Sequence, residues 1–302
     1  MEENKYNAVF KKFELMESNQ SISAKVQDII KKSFEKNFTK EVLALIYGCI
    51  DLTTLNSLDT KETVWKMVEK VNQSEGVLQL PHVAAICVYP VFVETVKQAL
   101  LVQEVKIVSV AAGFPSSQTF AEIKIAETAL AVLAGADEID IVLNLGYFME
   151  DAFEEIADEI TEIKDSCRGA TLKVILETGA LVTAAQIQRA TILALYSGAD
   201  FIKTSTGKGY PGATPEAFYV ICKTIRQYQK LTGNKVGVKV SGGIRTAEDA
   251  IRFYTIAEHV LGKEWLNKDL FRIGASGLMA DIEQRFSNNS LDKFTNSSRP
   301  TN

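Results

Sequence analysis

Phe201-Ile202-Lys203-Thr204-Ser205-Thr206-Gly207 and Gly237-Val238-Lys239-Val240-Ser241-Gly242-Gly243 decide how this chain is read. Each is a short apolar run that holds one lysine and ends in glycine. Such a run reads as a buried strand, where a lysine is costly unless it is neutral or paired. Neutral is the form in which an amine attacks carbon. The two lysines stand 36 residues apart, the length of one strand–helix unit.

Working outward, the same kind of run recurs eight times, at about 42–50, 83–89, 105–112, 138–145, 172–177, 201–205, 236–240 and 271–275. Helix-period segments lie between them. Residues 119–133 place Phe120, Ile123, Ala126, Leu130 and Leu133 at three- and four-residue steps. Residues 148–163 do the same with Phe153, Ile156, Ile160 and Ile163, opposite an acidic face. Thr183, Thr214 and Thr246 read as helix N-caps, with Pro215 at a first helical position and Glu248-Asp249 in a first turn. Eight strand–helix repeats predict the α/β class and a (β/α)8 TIM barrel. The alternative is a doubly wound open sheet, but its GxGxxG turn after the first strand is missing. Residues 1–40 form an N-terminal helical extension, with Ile22, Val26, Ile29, Ile30 and Phe34 on one apolar face. That face is expected to cap or flank the barrel, a partner-binding helix being the other reading. Residues 41–286 make the barrel, and 287–302 a polar, mobile tail.

Alternation along the strands fixes what points inward. With Ile202, Val238, Ile139, Ile141, Leu172 and Val174 facing the helices, the axis receives Lys203, Lys239, Glu138, Asp140, Lys173 and Glu177. The first strand adds Asp51 at its end. Glu138 and Lys173 lie toward the strand starts, where a structural ion-pair network is the simpler role. Asp140, Lys203 and Lys239 lie nearer the carboxyl ends, where barrel active sites form. Neighbouring strands are about 4.8 Å apart. Two inward amines then approach to about 6 Å and repel by roughly 3 kcal/mol at a dielectric of 20, about two pKa units. One amine is therefore expected to be neutral near pH 7, and spacing alone does not say which. Asp140 is placed to move protons.

A second constellation lies at the ends of the last three strands. Thr206-Gly207-Lys208, Ser241-Gly242-Gly243 and Gly274-Ala275-Ser276-Gly277 let backbone N–H groups close on an anion. Loops after strands seven and eight are the usual barrel phosphate site. His82 reads as a turn or core residue, His259 as exposed, and Cys87 as a small buried filler on the second strand that is also able to line the pocket.

Composition bounds the rest. The chain has 302 residues, 46% hydrophobic and 24% charged, with a net charge of −5. That balance gives no reason to expect nucleic acid or an anionic membrane as partner. Two histidines do not make a histidine-rich metal site. Four widely spaced cysteines suit free thiols in a reducing cytosol. The first residues contain no apolar signal core, and no run of 18 apolar residues occurs, so a cytoplasmic protein without a membrane span is expected.

The motifs resemble those of the deoxyribose-phosphate aldolase family from about Ile50 to Leu278. The matching segments include Asp51-Leu52-Thr53-Thr54-Leu55, Ile86-Cys87-Val88-Tyr89-Pro90, Gly135-Ala136-Asp137-Glu138-Ile139-Asp140, Lys173-Val174-Ile175-Leu176-Glu177-Thr178-Gly179, Phe201 to Lys208, Ser241 to Thr246 and Arg272-Ile273-Gly274-Ala275-Ser276. The resemblance implies a class I aldolase, free of metal and cofactor. It would reversibly cleave 2-deoxy-D-ribose 5-phosphate to D-glyceraldehyde 3-phosphate and acetaldehyde. It implies Lys203 as the Schiff-base lysine, Lys239 as the lysine that depresses its pKa, and Asp140 as the acid/base group. It also implies Cys87 as a pocket residue near the substrate. Gly207, Gly242, Gly243 and Ser276 become phosphate contacts, with Thr206 and Lys208 nearby and Asp51 and Glu177 in support. Partners are then sugar phosphates and aldehydes, with a homo-oligomer possible. Two other readings compete: a second enzyme, a pyridoxal-phosphate barrel, which would absorb above 400 nm, and, from another class, a phosphate-ligand sensor that binds without turnover.

Overall fold

The structure is a computed structural model that describes residues 5–74 and 77–288. Eight parallel strands close into a barrel in sequence order, each hydrogen-bonded to the next and β8 to β1. They are β1 (Ile50–Thr53), β2 (Ala85–Val88), β3 (Lys106–Val110), β4 (Glu138–Val142), β5 (Thr171–Ile175), β6 (Phe201–Lys203), β7 (Gly237–Ser241) and β8 (Phe271–Ala275). The helices are α1 (Lys5–Phe10), α2 (Asn19–Asn37), α3 (Lys40–Gly48), α4 (Lys61–Gln73), α5 (Val93–Ala99), α6 (Ala121–Ala134), α7 (Leu145–Met149), α8 (Phe153–Ser166), α9 (Ala184–Tyr196), α10 (Pro215–Thr232), α11 (Ala247–Leu261) and α12 (Leu278–Ser287). The expected (β/α)8 architecture is present. The outward strand residues Ile139, Ile141, Leu172, Val174, Ile202, Val238 and Val240 are buried against the helices in one continuous core.

The threonine caps act as read. Thr183, Thr214 and Thr246 accept hydrogen bonds from the backbone N–H of Gln186, Ala217 and Asp249. Gln186 and Asp249 close reciprocal capping boxes, and Pro215 opens α10. Each cap fixes where a helix leaves the carboxyl end of a strand, and so sets the loops that surround the site.

Four local readings change. The run at 42–50 is not a strand: residues Lys40–Gly48 form α3, started by Thr39, whose side chain accepts from the Val42 N–H. Leu43, Ile46 and Tyr47 supply a buried helical face, and a short apolar run does not by itself distinguish the two periods. β1 therefore begins at Ile50, and Asp51 is its second residue rather than its end. Residues 148–163 are divided between α7 and α8, with Asp151 at positive φ between them. Asn144 caps α7 by accepting from the Tyr147 N–H. The fourth change concerns α6. Its periodic residues Phe120, Ile123, Ala126, Leu130 and Leu133 all face solvent, while Lys124, Thr128 and Ala131 face inward. Lys124 is accommodated by Glu159 at 2.6 Å and the Ser117 hydroxyl at 2.9 Å.

In the N-terminal segment α2 lies on the flank of the barrel against α10 and α11, burying Ile22, Val26 and Ile29. Ser23 bonds Glu216 across that contact. Of the polar tail read at 287–302, only Ser287 and Asn288 are among the described residues; the rest lies outside them.

Candidate active site

The parallel register brings the inward charges together. Lys203 on β6 is directly opposite Lys239 on β7, Lys239 is opposite Arg272 on β8, and Asp140 on β4 is opposite Lys173 on β5. Asp140 is the hub. Its Oδ1 accepts from Lys173 Nζ at 3.0 Å, and its Oδ2 accepts from both Lys203 Nζ at 2.7 Å and Lys239 Nζ at 2.8 Å. A second tier lies beside it. Lys239 Nζ is 2.5 Å from Asp51 Oδ2, Lys173 Nζ is 2.5 Å from Glu138, and Arg272 joins Asp51 at 2.7 Å to Glu138 at 2.8 Å. Two positions make room. Gly274 leaves space for the Lys239 stem, since a Cβ there would lie 3.2 Å from Lys239 Cε. Gly237 leaves space for the Phe201 ring, over which Lys173 and Arg272 both lie.

Four cations, Lys173, Lys203, Lys239 and Arg272, thus contact three carboxylates, Asp51, Glu138 and Asp140. Every one of the seven is buried. Uncompensated charge is expensive in such a place, and the set balances when one lysine is neutral. The surroundings select which. Burial lowers the Lys203 pKa, the Lys239 charge lowers it further, and the partial share of Asp140 does not restore it. For Lys239 burial pulls the same way, but Asp140 and Asp51 together overcome it and hold the ammonium well above its ordinary value. Lys173 is likewise raised by Asp140 and Glu138 against the pull of burial. Burial would raise the Asp140 pKa, yet three lysines hold it well below the usual carboxylate range. Of the two amines that spacing left open, Lys203 is the one whose pKa is lowered and Lys239 the one whose pKa is raised.

Access makes the same choice. A cavity of about 230 Å³ opens over the carboxyl ends of β1, β6, β7 and β8. Lys203 lines it; Lys239 and Asp140 lie beneath, wholly buried. Thr206, Gly207, Lys208, Gly242, Gly243 and Ser276 all line the same cavity, so the predicted anion cradle and Lys203 share one space. Gly207, Gly242 and Gly243 adopt positive φ of 75°, 90° and 86°, turning their peptide groups in a way that side chains oppose. Gly242 also has the neighbouring loop pressed on it, with Gly212 Cα 2.9 Å from where a Cβ would lie. The Lys208 ammonium donates to the Leu55 carbonyl at 2.5 Å, which anchors it at the mouth.

Glu177 lies beside the lysines at the end of β5, with φ of 54°, and accepts from the Thr206 hydroxyl and from the Thr206 N–H at 3.3 Å. It positions Thr206 in the cradle, and burial raises its pKa. Cys87 is brought near the amines but not to the cavity wall. It is wholly buried on β2 among Leu55, Ala85, Val108 and Val110, and burial raises its thiol pKa. His82 is half-buried near Ser74, and His259 is exposed on α11.

Two residues at the site escaped the sequence reading. Arg272 faces the axis because Phe271 and Ile273 face out, the same alternation that exposed the lysines. Arg245 lines the cavity and adds a cation near the cradle. Its signal was its place two residues beyond Gly243, in the loop after β7.

A closed parallel barrel with titratable groups gathered at the carboxyl ends of its strands is the frame of a barrel enzyme. The chain belongs to the DeoC/LacD aldolase family, whose model matches residues 46–278. It is 40% identical to the deoxyribose-phosphate aldolase of Homo sapiens over 247 residues, 78% of each chain. It is also 40% identical to that of Bos taurus over 248 residues, again 78% of each. Among solved structures, the tetrameric deoxyribose phosphate aldolase of Aeropyrum pernix aligns with a TM-score of 0.67 at 26% identity, covering 87% of this chain and 98% of that one. An aldolase designated QR15 aligns with a TM-score of 0.64 at 28% identity, covering 82% and 98%.

Proposed function

We propose that this protein is a class I aldolase that reversibly cleaves 2-deoxy-D-ribose 5-phosphate to D-glyceraldehyde 3-phosphate and acetaldehyde. The observation that carries the reading is that Lys203 is the lysine whose pKa is lowered and also the one that opens on a cavity shared with a glycine-rich, cationic cradle. The cradle takes the 5-phosphate through Gly207, Gly242, Gly243 and Ser276, with Lys208 and Arg245 at its rim. The open-chain sugar then presents its C1 carbonyl toward Lys203.

The Lys203 amine adds to C1, and loss of water gives a protonated imine. That cation draws electrons from the C2–C3 bond. As the C3 hydroxyl loses its proton, the bond breaks, C3 becomes the carbonyl of glyceraldehyde 3-phosphate, and the electron pair is left on C2 as an enamine. Protonation at C2 and addition of water to the imine release acetaldehyde and restore the amine. Asp140 accepts and returns protons beside Lys203, with Lys239 retaining its own proton throughout. Asp140 and Asp51, the latter clamped by Arg272, hold the second lysine charged.

The test is direct turnover of 2-deoxyribose 5-phosphate with both products quantified. Equal release of acetaldehyde and glyceraldehyde 3-phosphate supports the assignment. Binding of the sugar phosphate without products would make the protein a sensor rather than an enzyme.

A further inference from the structure

Lys124 is wholly buried on α6, and no step of the proposed reaction uses it. A lysine in such a place is costly unless its ammonium is paired. Glu159 on α8 supplies the opposite charge at 2.6 Å, and the other partner is the Ser117 hydroxyl at 2.9 Å. One turn further along α6, Glu127 Oε2 accepts from the Gly113 N–H at 2.8 Å. Lys124 and Glu127 stand three residues apart, so they project from one side of the helix. Both reach into the loop that joins β3 to α6, and they grip it at two points. That loop is strained. Ala112, Gly113 and Ser117 have φ of 59°, 74° and 59°. Alanine and serine rarely enter the left-handed region, and they persist there only where their surroundings over-determine them. Backbone of this kind gathers where function demands a fixed shape.

Phe114 stands between the two anchored points. Its ring meets Tyr89 edge-on at 6.2 Å and packs on the cluster of Leu55, Ala85, Cys87, Val108 and Val110. Leu55 lines the catalytic cavity, and the Tyr89 hydroxyl donates to its carbonyl at 3.2 Å. Cys87 is on β2, four strands from β6 in the closed barrel and so across it from Lys203. We propose that Lys124 and Glu127 are positioning residues: through Ser117 and Gly113 they hold Phe114 as the cover of an apolar wall opposite Lys203, and that wall restricts which carbonyl donor the lysine accepts. The donor part rests on the aldolase reading. With the phosphate in the cradle, the sugar chain runs from C5 to Lys203, and a further carbon on C1 is directed away from the cradle, toward the wall. Acetaldehyde carries a hydrogen at that position and acetone a methyl. One methyl group in a packed apolar pocket is worth about 10- to 200-fold in discrimination.

Two readouts on one variant test this. Ser117→Ala/Glu127→Ala removes both anchors and leaves the buried Lys124–Glu159 pair intact, so the barrel should stay folded. Glu127→Gln keeps an acceptor for the Gly113 N–H and should behave as wild type. The first readout is alkylation of the four buried cysteines by N-ethylmaleimide, followed by peptide mapping. In the double variant Cys87 is expected to react about tenfold faster or more, with Cys49, Cys167 and Cys222 unchanged. The second is the rate of acetone addition to glyceraldehyde 3-phosphate relative to that of acetaldehyde. This ratio is expected to rise about tenfold, while KM for glyceraldehyde 3-phosphate, set by the cradle, stays constant. Cys87 protected as before, or all four cysteines opening together, overturns the anchoring. An unchanged ratio in protein whose Cys87 has opened overturns the role of the wall in donor choice. Wild-type protein that makes no aldol with either donor refutes the aldolase reading instead, and alkylation of Cys87 still decides the anchoring.

Discussion

Replacing Lys239 with methionine removes a charge while keeping length and volume, and its consequence can be worked from the geometry. Lys203 and Lys239 donate to the same Asp140 oxygen at 2.7 and 2.8 Å, so their nitrogens are at most about 5.5 Å apart. At that separation two unit charges repel by roughly 3 kcal/mol at an effective dielectric of 20, about two pKa units. Without Lys239, Lys203 loses that repulsion and takes a larger share of the Asp140 charge, so its pKa rises by about two units or more. An ammonium is not a nucleophile. The acidic limb of kcat/KM should therefore move up by about two pH units, and the rate at a pH below both limbs should fall roughly a hundredfold. Asp140 keeps Lys173 and Lys203, and Asp51 keeps Arg272, so the fold should hold. Lys239→Arg, which preserves the charge, should leave the limb near its original position. The assay is the pH profile of deoxyribose 5-phosphate cleavage for the three proteins. A limb that stays in place in Lys239→Met, or moves down, would refute electrostatic tuning of Lys203 by Lys239.

Four further outcomes follow from the same geometry. Arg272→Met leaves Asp51 and Glu138 short of a buried partner, which costs about 3–5 kcal/mol and lowers Tm by roughly 10 °C in a thermal melt; an unchanged Tm would mean the clamp contributes nothing. Arg245→Ala is expected to raise KM for the phosphorylated sugar about tenfold or more while leaving unphosphorylated 2-deoxyribose unaffected, which steady-state kinetics on both substrates reads. Asp140→Asn should reduce kcat by about 10²–10⁴-fold through loss of proton transfer, measured with the phosphate site saturated. Asp140 also has a folded pKa held below its unfolded value of about 3.9, so its stabilisation is fully present above about pH 4 and lost as pH falls through the lower value. Acid unfolding of the wild-type chain, followed by circular dichroism, should therefore begin below about pH 4, with a shallower slope in Asp140→Asn.

How far the residues alone reveal this molecule depends on which signal each part carries. Strand alternation is a strong signal, because one buried face leaves no freedom of register, and it placed Lys203, Lys239, Asp140, Glu138 and Lys173 on the axis where the structure has them. The same rule applied to β8 would have added Arg272. Periodicity is weaker on its own. It located α6 but not the direction its apolar face takes, because a stripe has the same spacing whether it meets the barrel or another surface. It also did not separate α3 from a strand, since Leu43, Ile46 and Tyr47 lie in an unbroken apolar run. The assignment of the neutral lysine was out of reach of spacing altogether. It depends on Asp51 reaching Lys239 and not Lys203, a contact made through the closure of β8 on β1.

Imine formation is expected at Lys203, the lysine that opens on the cavity. Incubation with acetaldehyde and borohydride, followed by peptide mass mapping, tests it most directly. The prediction is an ethyl group fixed on Lys203, formed also when deoxyribose 5-phosphate replaces acetaldehyde, and absent from Lys203→Ala, which should stay folded and inactive. Modification at Lys239 or Lys173 instead, or turnover retained by Lys203→Ala, would contradict it.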